Sequence, residues 1–505
     1  MGVLKDSKST DISVIVSNEV DNKVADEALF YATKSKSYEL TEEENKKLLR
    51  KIDWWLMPLI CALMSVQLMD KSTSSYASIM GMIEDLNMTG LEYSWVGTSF
   101  YLGYLIFELP ANLILQRFPL SKVLSVAIIS WGVVLCCHAA CRTASTFLLC
   151  RTLLGILECF MTPAYIILTT QWYRKSEQYM RCSIWQGFQG FGTILGSGIA
   201  YGLYTHLSLS LLTAWQDLYV ITGVITIALG LISIFHIPDI PAKAWFLDEK
   251  EKLDVVNRIR ENNQGFGNKH FKWYQFKEAL LDICTYSLLF YMIGYGISNG
   301  GLGNFGSIVL LDDFGFGTGP ALLMNMIGGG IDVIFPALFA YIQRKFSISR
   351  LLVCFFINAL NFTGLCLLAF CKYSSARLVG YYLNYLQTAS YATMTSIIAS
   401  NIAGHTKKVT VSAVFLVGFC AGNMIGPQTF LDSEASSDYP TAKTVMAATA
   451  TLSLITPVVM LVAFYYRNRK KFTQLVELGD THVHIENAEF ADQTDIENID
   501  FRYCY

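Results

Sequence analysis

Twelve apolar stretches recur along the chain, each roughly 18–25 residues long, in the order six, a long polar break, and six more. They lie near 53–82, 93–115, 121–141, 145–169, 182–205 and 216–237, then near 284–311, 319–342, 351–371, 376–400, 410–431 and 443–466. Each can cross ~30 Å of hydrocarbon as a helix. Helix is the required form, because lipid offers backbone N–H and C=O groups no partner. Composition agrees, with 53% hydrophobic and 16% charged residues against about 25% charged in soluble domains. A formal net charge of −3 leaves no basic footprint, which argues against nucleic acid as a partner. The expectation is an all-α membrane protein, a monomer embedded in the lipid bilayer.

Loop charges set the orientation. Arg117, Lys122, Arg174, Lys175, Arg181, Arg344, Lys345, Arg350, Lys407 and Lys408 collect on one side, and Glu84, Asp85, Glu92, Asp312, Asp313, Asp432, Glu434 and Asp438 on the other. The basic side is expected in the cytosol, with both termini. The first fifty residues lack the apolar core and cleavage site of a secretion signal. The chain then divides into a cytosolic tail (1–52), an N-terminal bundle (53–237), a cytosolic linker (238–283), a C-terminal bundle (284–466) and a second cytosolic tail (467–505). A short amphipathic helix is expected near Thr41–Lys51, and the acidic stretch after Phe472 reads as disordered.

The two halves repeat. Pro110 opens "PANLILQRFPLSK", and Pro336, 226 residues later, opens "PALFAYIQRKFSISR". Arg151 and Arg377 share that offset, as do Thr162 and Thr388, Tyr165 and Tyr391, Gly192 and Gly418, and Gly196 and Gly422. Coincidences at one offset indicate a duplicated six-helix unit: twelve helices in two pseudo-symmetric bundles facing a cavity near mid-membrane, as in alternating-access transporters.

Against that background, Asp70 and Lys71 in "SVQLMDKSTSSYAS" are out of place. If the first span starts near Pro58, Asp70 sits ~18 Å along it, close to the midplane. A charge there costs roughly 2.5–3.5 kcal/mol on insertion scales. Neighbours on a helix point ~100° apart and cannot clasp one another, so each needs another partner. Two structural readings stand beside a functional one: an ion pair that ties helices together, or a helix that ends near Asp70. In the functional reading Lys71 attracts an anion and Asp70 carries a transferable proton.

Glu158, in "RTLLGILECFMTPAY", is a second deep acid, two turns beyond Arg151; if Arg151 sits near one membrane surface, Glu158 reaches ~10 Å inward. Its counterpart is Asn384, and the counterparts of Asp70 and Lys71 are Gly296 and Ile297. Ionisable groups thus concentrate in the first half, which is expected to couple protons while the second half shapes the pocket. Gln186 and Gln189 in the fifth span, Asn299 and Asn304 in the seventh, Asn384 in the tenth and Asn423 in the eleventh are candidate substrate contacts, with interhelical hydrogen bonding as the alternative. Asp332 is a possible third acid, whereas Glu108, His138 and His206 read as structural. The cysteines lie mostly in apolar runs with no CxxC pair, so they read as buried hydrophobes. No phosphate-binding loop, catalytic constellation or metal-ligand spacing appears, so no enzyme and no cofactor is expected beyond the proton as coupling ion.

These residues resemble the major facilitator superfamily, and within it the anion:cation symporter family. "LMDKSTSSYA", "FYLGYLIFELPANLILQRF" and "RTLLGILECFMTPAY" resemble its first, second and fourth spans. "GNMIGPQTF", "IPDIPAKAWFLDEKEKLDVVNRIRENNQG" and "DQTDIENIDFRYCY" resemble the fungal allantoate permease branch, near its thiamine-pathway carboxylate and cysteine transporter group. The resemblance implies proton coupling at Asp70 and Glu158 and anion binding at Lys71. Lys71 stands where many relatives have Arg, and offers a point charge instead of a bidentate fork. The implied function is proton-coupled import of a small organic anion, such as allantoate, a nicotinate-like vitamin, a sulfonate or an amino-acid-like substrate, at the plasma membrane. The alternatives are a non-transporting nutrient sensor and an intracellular or efflux carrier.

Overall fold

The computed structural model describes residues 41–206, 212–260, 272–478 and 493–505. Most of the expected N-terminal tail lies outside the described residues. Thr41 caps the first helix through a reciprocal capping box with Glu44, and the helix runs unbroken over Glu42–Ala77, so the short amphipathic helix and the first span are one element. A π-helical turn, Ser78–Met82, and Ile83–Asp85 complete that span. Gly81 sits in the turn at φ +101°, a conformation that side chains with a Cβ rarely adopt.

The other rods of the first half are Gly90–Arg117, Leu120–His138, Ala144–Glu158 continued by Met161–Trp172, Lys175–Gly187 continued by Gln189–Thr205, and Ala214–His236. Those of the second half are Ile283–Asp312, Thr318–Phe346, Arg350–Phe370, Ser374–Leu383 continued by Gln387–Asn401, His405–Gln428 and Pro440–Leu478. Among the described residues, nine helices are each long and apolar enough to cross a membrane. A tenth is added if Trp273–Leu281 and Ile283–Asp312, which meet at 62°, count as one span. The fifth and tenth rods complete the two sets of six; each is broken, the fifth at Phe188 and the tenth at the 3₁₀ turn Asn384–Leu386. The fourth is also interrupted, directly after Glu158. Glu158 and Asn384 are repeat counterparts, so both halves break the same helix at the same place.

Within the first half, the first span packs on the fifth and sixth, the second on the fourth, and the third on the sixth. Within the second, the seventh packs on the eleventh and twelfth, and the ninth on the tenth and twelfth. The halves meet where the second span touches the eleventh, the fifth touches the eighth and tenth, and the first touches the seventh. Close approach needs small residues: a Cβ on Gly190 of the fifth span would collide with the Gly329 carbonyl and the Asp332 side chain of the eighth.

On the basic face, charged side chains fasten the linker and the tail. Arg258 of the linker helix Glu249–Arg260 donates to both Glu177 carboxylate oxygens at 2.8 Å. Lys407 meets Glu278 at 2.8 Å, Asp282 at 3.2 Å and Asp495 at 2.8 Å. Burial raises the Asp282 carboxyl, but the Arg467 guanidinium outweighs it and holds the group below the usual carboxylate range. The stretch after Phe472 differs from the expected disorder in two places. The last helix continues to Leu478, and residues 493–505 fold back on the C-terminal bundle. There the Arg350 backbone N–H donates to the Tyr505 carbonyl at 3.0 Å, and Asn401 bonds both ways to Cys504.

Candidate functional site

A cavity of about 110 Å³ lies between the bundles. The first, second, fourth and fifth spans line it from one side and the seventh, tenth and eleventh from the other. Four polar candidates besides Lys71 line it: Gln186, Gln189, Asn299 and Asn304.

Lys71 enters over the rings of Phe100 and Tyr104, with Nζ at 5.4 and 6.0 Å from their centroids. Its Nζ lies 3.5 Å from Glu158 Oε2. Among the described residues neither Glu158 oxygen has a hydrogen-bond partner, and the residue is fully buried. The acid is therefore tied to the site by the charge of Lys71 rather than by a formed hydrogen bond. Such a pair is held loosely and can be replaced by another anion on the same ammonium.

Asp70 does not share this chamber, contrary to the expectation that both neighbours face it. The Trp131 indole N–H donates to its Oδ2 at 2.7 Å, and the Thr226 hydroxyl donates to the same oxygen at 3.0 Å. Those donors belong to the third and sixth spans. The reason is the helical rotation between adjacent positions: one side chain looks into the cavity and the next into the bundle.

Arg151 takes the second cationic position. It starts two turns inside the fourth span, is 2% exposed, and lines the cavity. Its Nη2 donates to the Tyr219 hydroxyl at 2.6 Å, and its guanidinium faces Phe147 and Tyr219 at 5.7 and 5.8 Å. Among the described residues no carboxylate lies within ion-pair distance of it, and its Nε has no partner. From the sequence, Arg151 only gauged the depth of Glu158, and its place in the cavity was missed. The signal was present in the sequence: Phe147 precedes it by one turn, the spacing that lays an aromatic ring beside a cation. The aromatic lining, with Phe100, Tyr101, Tyr104, Tyr295 and Tyr391, was also missed as a feature of the site.

The remaining candidates sort by distance from the chamber. The Gln189 amide donates to Gln186 at 3.2 Å. Asn299 donates to Asn423 Oδ1 at 2.8 Å, so Asn423 stands behind Asn299 and does not line the cavity. Asn304 donates to the Gly300 carbonyl at 2.8 Å, and its own carbonyl accepts from Tyr93 at 2.7 Å. Asn384 is buried in the break of the tenth span, outside the cavity, with Oδ1 unpartnered. Asp332 lies in the eighth span at the seam with the fifth, also outside it.

Toward the acidic face, contacts between the halves close the chamber. Ser75 and Ser307 hydroxyls meet at 3.0 Å, and the Gln428 amide donates to Thr98 at 2.9 Å. Phe305 stacks on Phe430 there, with centroids 4.3 Å apart, and meets Tyr93 edge-on at 5.0 Å. Toward the basic face, Tyr179 and Thr393 hydroxyls lie 3.0 Å apart.

A profile of the Major Facilitator Superfamily matches residues 59–427. The chain belongs to the Major Facilitator Superfamily. It is 41% identical to the allantoate permease of Saccharomyces cerevisiae over 495 residues, 96% of this chain and 91% of that protein. It is 42% identical to an uncharacterized transporter of Schizosaccharomyces pombe over 510 residues, 99% of this chain and 98% of the relative. The thiamine pathway transporter of Saccharomyces cerevisiae is 32% identical over 493 residues, 97% of this chain and 90% of that one. These relatives set the chain in the fungal allantoate permease branch, as a membrane transporter and not an enzyme. Among solved structures, an inward-facing, unoccupied bacterial homolog of the human lysosomal transporter Spinster matches with a TM-score of 0.57. That match has 14% identity and covers 80% of this chain and 95% of the other. The xylose transporter XylE from E. coli also matches at 0.57, with 13% identity and coverage of 78% and 97%. Both likenesses concern the fold alone.

Proposed function

We propose that this transporter imports a small organic anion together with protons, with Lys71 and Arg151 receiving the anion and Glu158 carrying the proton. The observation that carries the reading is the charge count of the chamber. Two cations line it, and one loosely held acid accompanies them. With Glu158 ionised the chamber keeps one excess positive charge, which favours an anion. Protonating Glu158 releases Lys71 and adds a second unit of attraction. Anion and proton therefore enter together more readily than either alone, which is the thermodynamic content of symport. Gln186, Gln189 and Asn299 supply neutral polar contacts for the rest of the substrate, and the aromatic walls suit a flat or apolar body.

The cycle runs by rocking of the two bundles about the chamber. The seam on the acidic face parts to admit substrate, closes as seen here, and the basic face opens for release. Loss of substrate to the cytosol returns Lys71 to Glu158, which expels the proton. Asp70 has no part in this exchange; it fastens the first span to the third and sixth. The orientation that fits this cycle has both termini in the cytosol, at the plasma membrane, with the chain acting as a monomer.

The test is uptake of labelled allantoate and a panel of carboxylates, sulfonates and vitamins by cells with and without the chain, over a range of external pH. Uptake of at least one anion should rise as external pH falls and should collapse when a protonophore removes the gradient. Saturable uptake that ignores both pH and the protonophore overturns the coupling. Binding with no uptake overturns transport.

A further inference from the structure

The thiols of Cys141 and Cys150 lie 3.8 Å apart, sulfur to sulfur. Cys141 belongs to the loop that joins the third span to the fourth, and Cys150 lies two turns inside the fourth. Cys141 Sγ also donates to the Cys137 carbonyl at 3.6 Å, which keeps it turned toward the helix pair. The backbone around them is braced: Phe147 packs edge-on against His138 at 4.9 Å, and His138 stacks on Tyr219 at 4.9 Å. Two sulfurs held in contact across a braced loop are a short movement from the ~2.05 Å of a disulfide bond.

We propose that Cys141 and Cys150 are a modification site: a reversible disulfide that staples the third span to the fourth one residue before Arg151. The oxidant class is a peroxide. The Cys141 thiolate attacks one peroxide oxygen; the O–O bond breaks, a sulfenic acid forms on Cys141, and the departing oxygen leaves as water after taking a proton. The Cys150 sulfur then attacks the sulfenic sulfur; the S–S bond forms, the S–O bond breaks, and a second water leaves with the Cys150 proton. In sum, two thiols are oxidised and one peroxide is reduced to two waters. The chemistry depends neither on the substrate of the transporter nor on which compartment the loop faces.

The sequence makes the test direct, because Arg142 separates the two cysteines. Trypsin releases Val123–Arg142, which holds Cys136, Cys137 and Cys141, and Thr143–Arg151, which holds Cys150 as its one cysteine. The full-length protein in membranes is treated with hydrogen peroxide, free thiols are trapped with N-ethylmaleimide, and the digest is read by mass spectrometry. The two peptides should appear covalently joined, fragmentation should locate the bond at Cys141, and dithiothreitol should separate them. Cys141→Ser should abolish the joined pair and Cys137→Ser should leave it. Complete alkylation of Cys150 after peroxide, or a bond located at Cys136 or Cys137, overturns the proposal. Fragmentation of the unmutated protein decides the question even if a serine variant fails to fold.

Discussion

Arg151 and Arg377 occupy the same place in the two halves, 226 residues apart, and meet opposite surroundings. Arg377 pairs with the buried Asp313 and with Asp438 at 3.7 Å, and Lys443 shares Asp313 at 2.5 Å. Arg151 has a tyrosine hydroxyl and two aromatic faces instead. At the repeat offset the counterpart of Asp313 is Asn87. A cation that is already neutralised holds helices together; a buried one left without an acid is a standing demand for an anion. The duplicated scaffold thus pairs one arginine with acids and leaves the other without one among the described residues.

The sharpest way to break this comparison is to neutralise each arginine in turn. Arg151→Gln should weaken anion uptake by the worth of a charge-assisted contact, about 1.5–3 kcal/mol, or ~10–150-fold in apparent affinity. The protein should still fold, since no buried acid loses its partner. Arg377→Gln should act the other way: a stability loss of about 1.5 kcal/mol, the worth of one charge-assisted contact, because Lys443 still holds Asp313, read by thermal unfolding, with affinity unchanged in the molecules that fold. Equal affinity losses in both variants would mean that the free-versus-paired distinction has no functional meaning.

Glu158 and Asn384 sharpen the comparison at the chemical step, since they mark the same helix break with and without an ionisable group. Glu158→Gln should flatten the pH dependence of uptake and abolish accumulation against a gradient. Exchange of internal for external substrate should persist, with affinity raised up to ~10-fold because Lys71 is released. Asn384→Ala should leave the pH profile as it was. Retained pH dependence in Glu158→Gln would remove Glu158 from the coupling role.

The sequence reading and the structure part company in an orderly way. The architecture was legible because lipid restricts the backbone to helix, and because one offset recurs through Pro110, Arg151 and Gly192 and their counterparts. Lys71, Glu158, Gln186, Gln189, Asn299 and Asn304 were legible as polar exceptions within apolar runs. Which way each one points was not. Rotation about a helix axis depends on packing, so Asp70 beside Lys71 and Asn423 behind Asn299 could not be told from cavity residues by depth alone. Arg151 was missed for a related reason: a base two turns inside a span does not by itself show which way it faces, and only the position of Tyr219, on another helix, shows that it turns inward. The docked C-terminal residues 493–505 escaped because net composition hides pairings such as Lys407 with Asp495, which need the fold to bring them together.

The mildest expected effect separates a fastening acid from a working one. Asp70 and Gly296 are repeat counterparts; Gly296 packs its helix directly on the backbone of Gly422 and Asn423, where Asp70 uses a side chain to reach the third and sixth spans. In Asp70→Asn the amide oxygen can still accept from Trp131 and Thr226, so both contacts remain and the expected loss is about 1 kcal/mol, the worth of one weakened hydrogen bond. Thermal unfolding should therefore fall by a few degrees, roughly the shift such a loss produces in a protein larger than ~150 residues, while the pH dependence of uptake stays as in the unaltered protein. Trp131→Phe should give a similar small loss, because it removes one donor and leaves Thr226 in place. If Asp70→Asn instead folds with unchanged stability and its uptake no longer responds to pH, the acid moves protons after all. The first half would then carry two coupled acids, one facing the chamber and one behind it.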